Sequence, residues 1–325
     1  MATALATLMS MPVVPIVAGT TPVTLLTRLA AALGSDCPRV LMKRDDLLPF
    51  GLGGNKVRKL QTIAAEAMAA GADTLITCGG AQSNHARVTA ATGAALGLRV
   101  DLVLNGAAPA DLVGNARLDA LFGATMHYVP SREARVPAME DLAAELRRAG
   151  RKPFIVPLGG STPTGAMGFA RGISEIAGDG IKPDAIVHAT SSGGTQAGLV
   201  AGCALFGVRT RVIGISADDP AAALARVVTD LVTKIAERLG AKPASLGADD
   251  VVEIDDTYVG GGYGVPTPAS IEAQTITART EGILLDPVYT AKAMAGLIGR
   301  IRAGAFHKDQ TVLFWHTGGT PAYFA

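Results

Sequence analysis

The 325-residue sequence is poor in aromatic residues and cysteines and carries almost no net charge. Aromatic residues make up 4% of the chain and include one Trp. Its three cysteines, Cys37, Cys78 and Cys203, are far apart and form no CxxC or Cys/His spacing, so we expect neither a disulfide framework nor a metal site. The formal net charge of +1, without blocks of like charge, argues against nucleic acid or an anionic membrane as partner. We therefore expect a reduced, cytoplasmic protein.

Long hydrophobic runs are also missing, although 49% of the residues are hydrophobic. Residues 1–17 are apolar, but they lack the basic start of a signal peptide and the unbroken apolar run of a membrane span. We predict that this segment is a loose arm that packs on the body or on a partner subunit.

Short β-rich runs from Val40–Arg44 to Val312–Trp315, among them Val251–Ile254, alternate with helical stretches such as Gly165–Ala177. This alternation predicts an α/β fold with parallel strands covered by helices. There are more strand–helix units than one sheet usually holds. We therefore expect two open, mostly parallel α/β sheets in two lobes, with a ligand cleft between them. Gly/Pro-rich breaks place the small lobe at residues 51–162 and the large lobe at residues 1–50 and 163–325.

The first candidate site residue is Lys56, which follows a glycine loop at the predicted start of a helix. The loop is not a Walker A motif, because Val57 follows the lysine, and it does not fit GxGxxG. The positive end of the helix dipole favours a neutral amine, as a Schiff-base lysine requires. Lys59 lies one turn on and could lower the pKa of Lys56 further and meet a phosphate. On spacing alone, two solvated lysines on a surface helix remain equally possible.

Two further loops each connect a predicted strand to a helix. Ser83 and Asn84 lie at a helix start, where backbone amides suit a carboxylate, although an ordinary N-cap explains them as well. The small residues Ser192, Gly193, Gly194 and Thr195 can wrap an anion with their amides and hydroxyls. A dinucleotide loop fits less well, because the glycine spacing is wrong.

Three more residues stand in places that favour a ligand. Thr317 lies at the carboxyl end of the last predicted strand, where parallel sheets bind ligands, unless it only caps the strand. Tyr263 lies in a glycine loop and Tyr289 follows Asp-Pro-Val, where aromatic side chains pack poorly as core. Together with the lysine and the two loops, they describe one ligand with an aldehyde, a phosphate and a planar ring.

These motifs resemble those of pyridoxal-phosphate (PLP) enzymes with the tryptophan-synthase-β fold, in the branch of D-cysteine desulfhydrase and 1-aminocyclopropane-1-carboxylate (ACC) deaminase. The resemblance runs from Lys43 to Phe324 and rests on GGNKVRKL, GGAQSNHARVTAA, SSGGTQAGL, GYGVP, LLDPVYTAKAMAGLI and WHTGGTPA. It implies PLP as cofactor, bound by the large lobe in the cleft between the two lobes, a small amino acid as substrate and a homodimer.

The resemblance also implies a role for each matching residue. Lys56 is the Schiff-base lysine, and the freed amine is the base that removes the Cα proton, with Tyr289 as the alternative base. Lys59 and Ser192–Thr195 bind the phosphate. Asn84 contacts the ring hydroxyl, and Thr317 contacts the ring nitrogen. Ser83 and the amides of Asn84 and His85 bind the substrate carboxylate, and Tyr263 and Tyr289 flank the substrate.

Thr290 and Thr317 separate the two activities of this branch. ACC deaminase-like sequences carry Glu and Leu there, so the two threonines favour β-elimination of D-cysteine to pyruvate, hydrogen sulfide and ammonia. ACC deaminase, L-cysteate sulfo-lyase and a non-catalytic PLP- or amino-acid-binding module remain alternatives. Val88, Gln196 and Trp315 depart from the desulfhydrase pattern and leave the exact substrate open.

Overall fold

A computed structural model describes residues 1–248, 250 and 252–325. Within these residues the strands are β1 Val23–Leu25, β2 Arg39–Arg44, β3 Thr74–Gly80, β4 Arg99–Asn105, β5 Thr125–Val129, β6 Pro153–Val156, β7 Ala185–Thr190, β8 Arg211–Ser216, β9 Glu253–Asp255 and β10 Thr311–His316. The α-helices are α1 Ala2–Ser10, α2 Thr27–Leu33, α3 Asn55–Ala69, α4 Asn84–Leu96, α5 Gly114–Leu121, α6 Arg135–Arg148, α7 Pro163–Ala170, α8 Ile173–Gly178, α9 Gly194–Leu205, α10 Ala221–Leu239, α11 Pro268–Glu281 and α12 Thr290–Arg302.

The strands form two sheets, as predicted. The larger has the order β1-β2-β10-β7-β8-β9 and is parallel except for β1, which pairs antiparallel with β2. The smaller has the order β5-β4-β3-β6 and is parallel throughout. Every residue of the central strand β7 is buried, because helices cover both faces of a parallel sheet. The lobe boundaries near residues 50 and 162 remain a prediction.

The N-terminal arm packs on the body, as one of the two predicted alternatives states, but residues 2–10 are helical and not loose. Residues 2–10 form α1, which buries Ala4 and Leu8 in an apolar cluster with α9 and α10. Arg171 adds a hydrogen bond from Nη1 to the carbonyl of Leu8, at 3.1 Å. The arm therefore packs on the body of its own chain. No helix in the described part of the chain has the length and apolar character needed to cross a membrane.

Two elements differ from the sequence predictions. A single helix was predicted over Gly165–Ala177, but the chain turns between α7 and α8 with bonds of the i→i−3 type, such as Gly172 N–H to Phe169 C=O at 2.9 Å. The predicted strand Val251–Ile254 corresponds to β9, and its residue Val251 lies outside the described residues.

Helix α3 is bound to both sheets. Ile63 and Ala67 pack in the core of the smaller sheet. On the other side, the buried guanidinium of Arg58 donates to Asp45 at 2.7 and 2.8 Å and to Glu175 at 2.6 Å. Trp315, which departs from the family pattern, donates its indole N–H to the same Asp45 at 2.8 Å. This network fixes α3, and with it Lys56, against the larger sheet.

Candidate active site between the two sheets

A cavity of about 500 Å³ lies at the carboxyl ends of β3, β7 and β10. Its size is within the range of pockets that bind small molecules. Most of the predicted site residues line its wall, although they come from six separate segments of the chain: Lys56, Ser83, Asn84, His85, Ser192, Gly193, Thr195, Tyr263, Tyr289 and Thr317. Lys59 and Gly194 lie behind the wall.

The glycine loop before Lys56 touches the loop after β10 directly. The backbone N–H of Asn55 donates to the carbonyl of Thr317 at 3.0 Å. A Cβ on Gly318 would lie 2.6 Å from the Cα of Gly54, and one on Gly54 would lie 2.9 Å from the Thr317 carbonyl oxygen. Because only glycine permits this approach, the two motifs meet and bring Thr317 close to the start of α3.

Burial lowers the pKa of the Lys56 ammonium to about 8. Its Nζ lies 3.4 Å from the carbonyl oxygen of Gly159. The sequence prediction named the helix dipole and Lys59 as causes of a lowered Lys56 pKa, whereas desolvation is the cause here. Burial and the charge of Lys56 together lower the pKa of Lys59 well below its usual value. Lys56 is thus a lysine with a large neutral fraction at mildly basic pH, facing a cavity.

Lys59 lies beneath the loop of small residues and not in the cavity. Its fully buried Nζ donates to the carbonyl of Gly159 at 3.1 Å and to Ser161 Oγ at 3.3 Å. Ser161 in turn donates to Ser192 Oγ at 2.8 Å and accepts from the N–H of Gly194 at 3.2 Å. Sequence reasoning missed Ser161, although it follows a strand and two glycines as the other loops do.

Ser83 acts as an N-cap, one of the two alternatives that the sequence left open. Ser83 is the N-cap of α4 and accepts from the N–H of Ala86 at 3.2 Å, which leaves its own hydroxyl hydrogen available. The side chain of His85 points away, with Nε2 2.8 Å from Thr77 Oγ1. Burial, followed by the charges of Lys56 and Lys59, lowers the pKa of His85 well below its usual value, so the imidazole is neutral.

Tyr263 and Tyr289 contact each other. Their hydroxyl oxygens are 2.5 Å apart and their rings meet edge to face at 5.7 Å. Burial is the main reason that the pKa of Tyr263 is raised and that of Tyr289 lies well above the usual value. Both hydroxyls therefore keep their protons at physiological pH.

Charged residues at the cavity wall were not foreseen. Arg132 donates to Asp218 at 2.8 Å, and its guanidinium lies 5.1 Å over the ring of Tyr263. Arg135 also lines the cavity and donates to Asn105 Oδ1 at 3.4 Å. In the sequence these residues look like ordinary surface charges, because no motif surrounds them and their partners are remote along the chain.

The two threonines that separate desulfhydrase-like from deaminase-like sequences occupy different environments. Thr317 lines the cavity. Thr290 is fully buried at the start of α12 and donates its hydroxyl to Asp286 Oδ1 at 2.7 Å. The Thr290 hydroxyl is thus occupied by the protein itself.

Comparison with known proteins places this cavity in context. The family model described as "Pyridoxal-phosphate dependent enzyme" matches residues 14–318. A D-cysteine desulfhydrase of Serratia proteamaculans (strain 568) is 38% identical over 97% of this chain and 96% of that protein. The crystal structure of an ACC deaminase homologue aligns with a TM-score of 0.91 and 36% identity over 99% of this chain and 96% of that one. The fold is also that of the processed form of threonine deaminase isoform 2 from Solanum lycopersicum. That structure aligns with a TM-score of 0.69 and 18% identity over 97% of this chain and 83% of that one.

The residues of the cavity fit pyridoxal phosphate. Lys56 supplies an amine that can bond to the aldehyde carbon. The first-turn amides of α9 have no partners within the helix, and with the hydroxyls of Ser192 and Thr195 they can hold the phosphate. A Cβ on Gly194 would lie 2.6 Å from Ser161 Oγ and 2.8 Å from Lys59 Nζ. Glycine at position 194 therefore lets the amide of this residue and the amine of Lys59 lie close together.

Proposed function

Because the chain belongs to the family of pyridoxal-phosphate-dependent enzymes, we propose that it eliminates the thiol of D-cysteine to give pyruvate, hydrogen sulfide and ammonia. The observation that carries this substrate is the similarity to a D-cysteine desulfhydrase along 97% of the chain. Thr317 at the cavity wall and Thr290 in place of a Glu support it, since a hydroxyl leaves the ring nitrogen less cationic than a carboxylate would and suits departure of a good leaving group.

In this proposal the cavity wall divides into a cofactor side and a substrate side. Pyridoxal phosphate, when bound, draws electrons from the substrate Cα and makes its proton acidic. The residues proposed to hold it are Lys56, Lys59, Asn84, Ser192, Gly193, Gly194, Thr195 and Thr317. Ser83 and the amides of Asn84 and His85 bind the substrate carboxylate at the start of α4, and Tyr263 and Tyr289 flank the substrate.

Lys56 is the proposed base that removes the Cα proton. Its pKa of about 8 gives a useful neutral fraction at physiological pH, and a well-placed base contributes about 10²–10⁴-fold in rate. The alternative base, Tyr289, is disfavoured because burial and the adjacent Tyr263 keep its pKa well above the usual value. A protonated Tyr289 is better suited to donate a hydrogen bond to the substrate.

A second candidate function is elimination of sulfite from L-cysteate. Arg135 lines the cavity. Among the residues that the structure describes, its guanidinium donates only to the backbone carbonyl of Arg132 and to the amide oxygen of Asn105, which are both neutral. An unpaired guanidinium can bind a sulfonate. The neighbouring Arg132 is neutralised by Asp218, so one cation is available and D-cysteine remains the preferred substrate.

The test is a parallel assay of D-cysteine, L-cysteine, L-cysteate and ACC with the PLP-loaded enzyme, measuring pyruvate, 2-oxobutanoate, sulfide and sulfite. We expect pyruvate and sulfide in equal amounts from D-cysteine at the highest kcat/KM. Sulfite from L-cysteate or 2-oxobutanoate from ACC at a higher kcat/KM would replace the proposal. If cofactor binds but none of the four amino acids reacts, the binding-module alternative is supported.

The Lys56→Ala variant is the control for the same assay. It should lose both turnover and the visible absorbance of the covalently bound cofactor, because no other lysine lines the cavity in the described part of the chain. The Lys234→Ala variant, altered at an exposed position of α10, should retain both. An unchanged absorbance band in Lys56→Ala would contradict the proposed role of Lys56.

We also propose that the enzyme is a cytoplasmic homodimer. The free thiols of Cys37, Cys78 and Cys203 suit a reducing compartment. A groove of about 550 Å³ has exposed apolar side chains at its rim, including Leu121 and Phe324, each 72% exposed; such surfaces favour association. The molar mass in solution, measured by light scattering for the wild type and for Leu121→Glu, tests the dimer.

A further inference from the structure

Lys292 is a fully buried lysine with three hydrogen bonds to backbone carbonyls and no assigned role in the chemistry. Its Nζ donates to Val259 at 2.7 Å, to Gly262 at 2.9 Å and to Ala217 at 3.4 Å. An ammonium has three donors, so these contacts use its full capacity. A buried charge is costly unless it is hydrogen-bonded in this way. The presence of a buried ammonium at this position therefore has to be explained by what its three bonds do.

Two of the three acceptors bracket the turn that precedes Tyr263. The segment Gly260–Gly264 contains four glycines around this tyrosine, so ordering its backbone is entropically expensive. The hydrogen bonds within the turn are long: Gly262 N–H to Val259 C=O measures 3.5 Å, and Val265 N–H to Gly262 C=O measures 3.3 Å. The bonds from Lys292 are shorter and charge-assisted, and are therefore the stronger restraint.

The third acceptor links the same lysine to the other side of the Tyr263 ring. Ala217 directly precedes Asp218, which binds Arg132, and the guanidinium of Arg132 lies 5.1 Å over that ring. Lys292 also stands three residues after Tyr289, at the beginning of the same helix. One short helical segment therefore carries Tyr289 and the amine that holds the loop of Tyr263.

We propose that Lys292 is a positioning residue that fixes the glycine loop so that the Tyr263 hydroxyl meets the Tyr289 hydroxyl at the substrate side of the cavity. Its hydrogen-bond acceptors are neutral carbonyls, so we assign its contribution to the geometry of the loop. The inference rests on the proposed function in one respect, the role of the two tyrosines beside the substrate.

The experiment compares Lys292→Met, Tyr263→Phe and the double variant in the PLP-loaded enzyme. Methionine keeps the apolar stem and removes the donors. We expect kcat/KM to fall by about 10²-fold in Lys292→Met, the size of loss that a small misplacement of a catalytic group causes. In the Tyr263→Phe background the same change should cost less than about 2-fold, because residues that act through one contact are not additive.

A second readout does not depend on turnover. Hydrogen–deuterium exchange of the amides in residues 259–264 should become about 10-fold faster in Lys292→Met, because the loop loses its strongest restraint. The matched control is Lys234→Met on the exposed face of α10, which should change neither kcat/KM nor exchange. If Lys292→Met does not fold, Lys292→Arg takes its place, because it keeps the charge and the donors. Its loss of kcat/KM should be smaller, and should again be smaller in the Tyr263→Phe background than in the wild type.

Equal fold losses of kcat/KM in both backgrounds, or unchanged exchange in the loop, would overturn the proposal. If the wild type turns over none of the four amino acids, the proposed function fails. The exchange measurement still decides whether Lys292 holds the loop.

Discussion

At the scale of single residues, burial determines the chemistry of the site. Lys56 and Lys59 belong to one helix, and both have a lowered pKa. They differ in what they face: Lys56 lines the cavity, and Lys59 donates to Gly159 and Ser161 behind the wall. This difference agrees with the roles proposed for them, Lys56 as the reacting amine and Lys59 as a cation behind the phosphate loop.

A pH profile tests the first of these roles. The neutral amine is the reactive form, and the pKa of Lys56 is lowered from 10.5 to about 8. The rate at which the apoenzyme binds pyridoxal phosphate covalently should therefore rise with pH up to about 8 and then level off. Stopped-flow absorbance of the wild type measures this rate, with Nα-acetyl-lysine as the unburied reference. If the rate rises as steeply above pH 8 as below it, the amine is not desolvated.

The sequence predicted the residues of the site that belong to motifs. Lys56, Ser83 and Thr317 could be found because glycines, caps and strand ends mark them, and all three line one cavity. Arg132 and Asp218 could not be found, because their ion pair joins residues that are remote in sequence. Such contacts are set by the tertiary fold and leave no local pattern.

At the scale of elements, close contact between helices explains several glycines. Gly168 lies in α7 where this helix crosses α3. A Cβ at this position would overlap the carbonyl oxygen of Arg58 and would lie 2.7 Å from Thr62 Oγ1. The two helices can pack at this distance only because the side chain is absent.

The Gly168→Ala variant should therefore be less stable. Forcing a methyl group into a packed contact costs about 1–3 kcal/mol, and the shift of α3 should also lower turnover, because this helix carries Lys56. The matched control is Gly178→Ala at the end of α8, where no atom lies within 4 Å of the added Cβ. That change should be neutral or stabilising by up to about 1 kcal/mol. Urea unfolding of both variants tests this, and equal stabilities would refute the packing argument.

The helical elements also show where periodicity is insufficient. The segment Gly165–Ala177 contains three glycines, but Gly165 and Gly168 lie inside α7. Gly172 by itself therefore does not predict the turn at Arg171–Gly172. The turn directs Glu175 of α8 to Arg58 and Lys43. A buried ion network therefore overrides a continuous helix, and that network cannot be read from the segment itself.

At the scale of the whole molecule, one buried network joins the site to the larger sheet. Glu175 accepts from Arg58 of α3 at 2.6 Å and from Lys43 of β2 at 2.5 Å. Arg58 also binds Asp45, which accepts the indole N–H of Trp315 in β10. Ile63 of the same α3 packs against the smaller sheet. Contacts with both sheets therefore fix the position of α3, and with it the position of Lys56.

Acid should weaken this connection through Glu175. Burial raises the pKa of its carboxyl, but the hydrogen bonds and charges of Arg58 and Lys43 outweigh burial and hold the pKa below the usual 4.5. The folded protein therefore binds fewer protons than the unfolded chain, so the stabilisation is complete above pH 4.5 and is lost as the pH falls through the folded-state pKa. We expect Glu175→Gln to lower the free energy of unfolding by about 3 kcal/mol at neutral pH.

The difference between Glu175→Gln and the wild type should shrink as the pH falls below 4.5, because the wild-type carboxylate then also loses its charge. Urea unfolding at a series of pH values measures it. The control is Glu272→Gln, whose ion pair with Arg302 is about half exposed on both sides, and which should cost no more than about 1 kcal/mol. A pH-independent difference for Glu175→Gln would mean that the carboxyl contributes by packing and hydrogen bonding alone, and that its charge does not hold α3 to the larger sheet.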